Sequence, residues 1–343
     1  MRAARLLSHD GIAGVKLVEA PMPERRPGEV LVRLARACLN HVDLYLCNGG
    51  TGITHALPQT LGVDGAGEVA ECDPGESLLK TGDKVVLYPA LTCGRCEFCL
   101  RGDVILCTRV RILGEQRDGT MAEYITVPAA NCLAIPEGWS LDEAAGLPTA
   151  YLTAWRMVVT RGEVGPSDRV LIHGIGGGVS LAALQIAKMH GATVIVTSAH
   201  DEKLEKAKAI GADHIINYAR EDVLARVMDL TGKRGVDVVV ENVGEKTWSV
   251  SLRALVRGGR IVLCGATSGG APAADLQRLF IRQLQVLGVT LANPGEFRDM
   301  IRAFTANGIR PIVDSRYPLD QVPQALERLS AGRQFGKVVI EID

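Results

Sequence analysis

At 343 residues, the chain is long enough for two domains of roughly 100–200 residues each. Apolar residues make up 47% of it, enough for two cores, and a formal charge of −1 gives no reason to expect a nucleic acid or an anionic membrane as partner. No apolar run reaches the ~18 residues of a membrane span, and Met1–Asp10 has too short an apolar centre for a signal peptide. Nine cysteines, an odd number and mostly scattered, suggest free thiols in a reducing compartment, so a cytoplasmic location is expected.

In chain order, residues 1–130 show alternating apolar positions (Val30, Val32, Leu34). Turn signals recur at Pro27-Gly28, Gly49-Gly50, Asp73-Pro74-Gly75 and Thr81-Gly82-Asp83. Short β runs follow them, which predicts a compact, largely β domain. Within it, Cys93, Cys96, Cys99 and Cys107 are spaced C-x2-C-x2-C-x7-C. Four thiolates at this spacing can close a tetrahedron around one Zn²⁺ with no open position, so the metal would be structural. An iron–sulfur cluster fits less well, because the run lacks the proline-terminated ferredoxin spacing. Cys38, Cys47, Cys72, Cys132 and Cys264 are expected to be small buried apolar residues.

The stretch Pro136–Pro148 is the expected crossover into a second domain. There Val170-Leu171-Ile172 runs into a glycine cluster, Gly174, Gly176, Gly177 and Gly178, and a helical pattern runs from Val179 to Gly191. Strand, glycine turn and helix present bare N–H groups to a phosphate, making Gly174, Gly177, Gly178 and Val179 candidate dinucleotide contacts. Near-continuous apolar runs then follow Gly191, Gly211, Gly235 and Gly259, each glycine read as a left-handed helix end. Alternating strands and helices predict an α/β, doubly wound parallel sheet. Beyond Leu291, helical patterns at Glu296–Asn307 and Asp320–Ser330 and a strand at Lys337–Ile342 are expected to return to the first domain.

The four-cysteine lobe, Gly62-Val63-Asp64-Gly65-Ala66-Gly67-Glu68-Val69, the glycine turn at 174–180 and Phe335-Gly336-Lys337-Val338-Val339 give the chain a resemblance over nearly its whole length. It resembles the zinc-containing alcohol dehydrogenase and quinone reductase family, the medium-chain dehydrogenases/reductases. The resemblance implies a GroES-like β domain (1–148 and 293–343, with the zinc lobe at 93–107) beside a Rossmann domain (149–292), the active site lying in the cleft. It also implies a homodimer or homotetramer acting on a small-molecule substrate.

The departures from the family pattern narrow the chemistry. The three catalytic-zinc positions of the alcohol dehydrogenases fall on Asn40, Val63 and Thr149, and the usual proton-relay hydroxyl falls on Val42. These are poor zinc donors. A different set, His41, His55 and Asp64, stands as the alternative metal site. Asn40-His41-Val42-Asp43-Leu44-Tyr45 instead looks like the Asn-x-x-Asp-x-Tyr pattern of the zinc-free quinone reductases. Without a Lewis acid, the suitable electrophile spreads its own charge: a quinone, or an enone taking hydride at its β-carbon. Asn40, Tyr45 and Thr149 are therefore the candidate active-site residues, with the Asn40 amide and the Tyr45 hydroxyl as hydrogen-bond donors. Asp43 reads as a structural anion paired with Lys337.

For the cofactor, the second strand ends without an acid until Asp201, whereas an NAD site usually places one there. Ser198, Lys203 and Tyr218 fall where the quinone reductases contact a 2′-phosphate. The expectation is NADPH, with NADH left open. Asn242, Gly265 and Ala266 are expected near the nicotinamide, and Ser180 replaces the family's third glycine. The competing expectations are a zinc-dependent alcohol dehydrogenase with an atypical metal site and, more remotely, a cofactor-binding protein without activity.

Overall fold

The structure is a computed structural model, and residues 1–50, 52–73 and 79–342 are described. The predicted turn at Asp73-Pro74-Gly75 lies partly outside them. The chain divides into two compact units, Met1–Ala150 with Asn293–Asp343, and Tyr151–Ala292. The boundary falls two residues later than expected, which leaves Thr149 in the first unit.

In chain order, the first unit holds β1 (Arg2–Leu6), β2 (Val15–Glu19), β3 (Glu29–Cys38), α1 (His41–Cys47), β4 (Gln59–Thr60), β5 (Asp64–Glu71) and β6 (Lys84–Leu87). There follow β7 (Ala90–Leu91), α2 (Glu97–Leu100), β8 (Arg111–Ile112), β9 (Tyr124–Pro128), β10 (Cys132–Ala134) and α3 (Leu141–Ala145). The second unit holds α4 (Leu152–Trp155), β11 (Arg169–Ile172), α5 (Gly178–Met189), β12 (Thr193–Ser198), α6 (Asp201–Ala209), β13 (His214–Asn217) and α7 (Val223–Leu230). It continues with β14 (Val236–Glu241), α8 (Glu245–Ala254), β15 (Leu255–Leu263), α9 (Leu276–Arg282) and β16 (Gln285–Gly288). The chain then rejoins the first unit through α10 (Pro294–Asn307), β17 (Val313–Pro318), α11 (Val322–Ser330) and β18 (Lys337–Glu341).

The main sheet of the first unit runs β10-β6-β5-β3-β18-β17 among the described residues, with β9 also on β3. Period-two alternation puts Val30, Val32, Leu34, Val85, Leu87, Ile125, Val127, Val338 and Ile340 into one core. β18 lies antiparallel to β3, with Val339 opposite Cys38. This pairing brings the end of the chain beside the start of α1.

The second unit is a parallel sheet in the order β13-β12-β11-β14-β15-β16. That is the doubly wound order, with its reversal between β11 and β14. Both faces of the sheet are buried: Val170, Val194 and Val238 are as inaccessible as Leu171, Ile195 and Val239, which explains why the strands lack alternation. One expectation needs correcting. Gly259 is not a left-handed helix end; β15 already starts at Leu255, and Gly258 carries the positive φ of +74°.

Candidate active site and cofactor-binding elements

Two local rules build the first site. Asn40 ends the turn after β3 and, in an extended conformation, caps α1, its N–H donating to Asp43 Oδ2 at 2.8 Å. The other Asp43 oxygen accepts from Gly62 N–H at 3.1 Å. Gly62 sits at φ +100°, where a Cβ would come within 2.6 Å of Thr120 Oγ1, so only glycine serves. Burial pushes the Asp43 carboxyl up to about 7, partly offset by the two N–H donors.

Asp64 opens β5 beside this turn and is fully buried. Its Oδ2 accepts from Lys337 Nζ at 3.0 Å and from Asn40 Nδ2 at 2.9 Å, and its Oδ1 accepts from Thr149 Oγ1 at 2.5 Å. Lys337, 3% exposed, also donates to Leu39 O at 2.9 Å and to Asn40 Oδ1 at 2.7 Å. All three ammonium protons therefore have acceptors. The expected Asp43–Lys337 pair is replaced by Asp64–Lys337, because Asp43 is turned toward backbone N–H groups.

The Asp64 carboxylate also engages Asn40 and Thr149. The Asn40 amide gives Nδ2 to Asp64, with Cys38 O 3.5 Å away, and receives Lys337 on its oxygen. Thr149 gives its hydroxyl proton to the same carboxylate. Both residues hold the Asp64–Lys337 pair. Tyr45 is half-buried on α1, and His41, at the start of the same helix, is exposed.

The three positions do not fit a catalytic zinc. Val63 is buried and apolar, the Asn40 oxygen already faces an ammonium, and no imidazole or thiolate stands at any of them. The alternative set is not assembled either: His55 Nε2 lies 2.8 Å from His9 Nε2, away from the partners of Asp64. Among the described residues, one group of three or more His, Cys, Asp or Glu ligand atoms converges, and it is the cysteine lobe.

There the ligand atoms of Cys93, Cys96, Cys99 and Cys107 lie within 4.8 Å of one another, close to the ~3.8 Å sulfur spacing of a tetrahedron with Zn–S near 2.3 Å. Cys107 Sγ accepts N–H groups from Cys93 and Arg109, each at 3.3 Å. Backbone N–H groups of Cys99 and Thr108 pull the Cys96 thiol down to about 6, while burial pushes the Cys99 thiol up to about 11. The donor set fits Zn²⁺. By contrast, burial pushes Cys47, Cys132 and Cys264 up to about 12 and Cys38 higher still, in keeping with inert thiols.

In the second unit, the turn after β11 places Gly174 at φ +65° and Gly176 at +119°. A Cβ on Gly177 would meet no atom within 4 Å, and α5 starts there with no side-chain cap. Its first N–H groups are thus available to a phosphate, and the turn fits a dinucleotide. Ser180, at the third glycine's place, donates to His173 O at 3.0 Å and accepts from Asn242 Nδ2 at 2.9 Å. The serine ties together the ends of β11 and β14, the pair at the switch point. Gly178 and Val179 open α5; Ser198 ends β12, and Gly265 and Ala266 follow β15, all at the carboxyl edge of the sheet. Lys203 lies half-buried on α6, and Tyr218 is exposed just past β13.

Sequence reasoning missed two features here. Arg220 forms a two-pronged ion pair with Asp201, 2.7 Å on each prong, while Asn217 Nδ2 donates to the same acid at 2.8 Å. Glu241, fully buried at the end of β14, accepts N–H groups from Val243 and Gly244 and hydroxyls from Thr247 and Ser251. Ser251 in turn lies 3.1 Å from the buried His173 imidazole, whose pKa burial holds down. This network fixes the turn beneath Asn242. Nothing in the spacing marked it, since its members come from separate elements.

Residues 26–137 match the family model described as an alcohol dehydrogenase GroES-like domain, and residues 178–306 the one described as a zinc-binding dehydrogenase. A zinc-type alcohol dehydrogenase-like protein of Schizosaccharomyces pombe is 36% identical over 99% of this chain and 100% of its own. An NAD-dependent alcohol dehydrogenase of Saccharolobus solfataricus is 31% identical over 99% of both chains. A crystal structure of an NAD-dependent alcohol dehydrogenase superposes with a TM-score of 0.96 at 42% identity, covering all of both chains. The glycine turn, the four-cysteine lobe and this end-to-end similarity lead to one assignment: the chain belongs to the medium-chain dehydrogenase/reductase superfamily and is an NAD(P)-dependent oxidoreductase.

Proposed function

We propose that the chain uses NADPH to reduce a quinone or an α,β-unsaturated carbonyl without a catalytic zinc. The observation that carries this reading is Lys337, whose ammonium lies 2.7 Å from the Asn40 oxygen. A divalent ion at that oxygen would face a fixed like charge, and the nearby carboxylate of Asp64 is already engaged by Lys337. When bound, the nicotinamide supplies the hydride. The chain's part is to hold an acceptor whose developing charge is delocalised and to offer a donor to its oxygen; Tyr45 is the residue we assign to that contact. For the cofactor, Asp201 is the acid that would discourage a 2′-phosphate, and Arg220 neutralises it. Ser198, Lys203 and Tyr218 remain to bind the phosphate.

A second reading, zinc-dependent oxidation of an alcohol, draws its support from the relatives, which are named alcohol dehydrogenases. The two separate in one assay series on purified, zinc-loaded protein: NADPH and NADH oxidation with a quinone and an enone, and NAD(P)⁺ reduction with simple alcohols, each with and without chelator. Chelator-insensitive turnover of the quinone or enone with NADPH is expected. Alcohol oxidation abolished by chelator would overturn the proposal in favour of the second reading.

A further inference from the structure

His9 lies in the turn after β1 and His55 in the segment between α1 and β4, 46 residues apart. Their Nε2 atoms converge to 2.8 Å with the ring planes at 80°. The His55 Nδ1 lies 2.9 Å from Ile53 O, a contact that requires its proton on Nδ1, so the His55 Nε2 lone pair accepts the His9 Nε2–H until a metal ion replaces that proton. The ring is held in place from behind: a Cβ on Gly50 would come within 2.8 Å of its Cε1. Glu115, half-buried, interacts electrostatically with His55. His9 is exposed, so the pair is open to solvent.

We propose that His9 and His55 form a two-imidazole binding site for a divalent transition-metal ion, separate from the cysteine lobe and from the Asp64 network. Two nitrogens at metal–nitrogen distances near 2.0–2.1 Å and a right angle are about 2.9 Å apart, against about 3.3 Å for a tetrahedral pair. The observed spacing therefore suits adjacent positions of a tetragonal ion such as Cu²⁺ or Ni²⁺ better than tetrahedral Zn²⁺, with water completing the coordination. The Ile53 carbonyl behind His55 is the kind of outer partner that orients a ligating histidine, and Glu115 supplies compensating charge. A bound ion would tie the segment around His55 to the turn after β1.

The test is Ni²⁺ titration by calorimetry of the full chain with its cysteine lobe loaded with zinc. One Ni²⁺ per chain is expected, weakened at least about tenfold in both His9→Ala and His55→Ala and unchanged in His41→Ala. An anomalous peak about 2.1 Å from each Nε2 atom in nickel-soaked crystals is expected as well, and it reads the site without any variant. Binding of equal strength in all variants, loss in only one of the two, loss in His41→Ala, or absence of the anomalous peak would overturn the proposal. Those results would leave the pair as a plain imidazole–imidazole hydrogen bond.

Discussion

Lys337 and Asp64 are the residues on which the first site depends most. Both are buried and each is the other's charge partner, so removing one leaves an uncompensated ion in the interior. Lys337→Met is expected to lower unfolding stability by about 3–5 kcal/mol, measured by urea denaturation. A loss of under 1 kcal/mol would mean that water reaches the pair. Asp43 gives a pH dependence of defined sign. Its carboxyl titrates near 7 in the fold against an ordinary 3.8, so between those values the folded chain keeps a proton that the unfolded chain has released. Stability should fall as pH rises from about 4 to about 7 and level off above. Asp43→Asn should lack this slope when urea midpoints are compared at pH 5 and pH 8. At the cofactor end, Arg220→Ala frees the Asp201 carboxylate to repel a 2′-phosphate. The ratio of kcat/KM for NADPH to that for NADH should drop about tenfold or more, equivalent to roughly 1.4 kcal/mol; an unchanged ratio would place the phosphate elsewhere.

Among the elements, the cysteine lobe and the glycine turn differ in how they are held. The lobe contains two short helical turns, α2 and a 3₁₀ turn at Val104–Leu106, with the small pair β7–β8 beside them, so its order depends on the metal cross-link more than on apolar burial. Stripping zinc from Cys93, Cys96, Cys99 and Cys107 should raise amide exchange across residues 93–110 while β3, β5 and β18 keep their protection. Uniform loss of protection would show that the lobe supports the whole sheet. The turn after β11 needs no such cross-link. It is fixed by Ser180 bridging to Asn242 and by Glu241 gathering the N–H groups of the next turn, which gives a rigid frame for a phosphate.

At the scale of the molecule, β16 is the outer strand of the parallel sheet; Val286 on it and Leu276, Phe280 and Ile281 on the preceding helix α9 are exposed, Phe280 at 69%. An open strand edge with apolar neighbours is a surface that another chain can cover. We expect a second copy there, so sedimentation should give two or four times the 36.6 kDa chain mass, and Phe280→Asp should reduce it. A wild-type chain sedimenting as a monomer would remove the expectation. No helix among the described residues is long and apolar enough to cross a membrane.

Sequence alone determined what local chemistry dictates. Four cysteines within fifteen positions and glycines between an apolar strand and a helix carry their meaning in their spacing, because loop closure over so few residues brings them together in any fold. The doubly wound order followed from apolar strands alternating with helices. Tertiary structure decided which charges meet. Lys337 reaches Asp64 only because β18 returns 273 residues later to lie against β3, and that contact gathers Asn40 and Thr149 around an ion pair. Arg220 on Asp201 and His9 on His55 belong to the same class: each side chain is unremarkable in its own segment, and long-range strand pairing or chain packing supplies the partner.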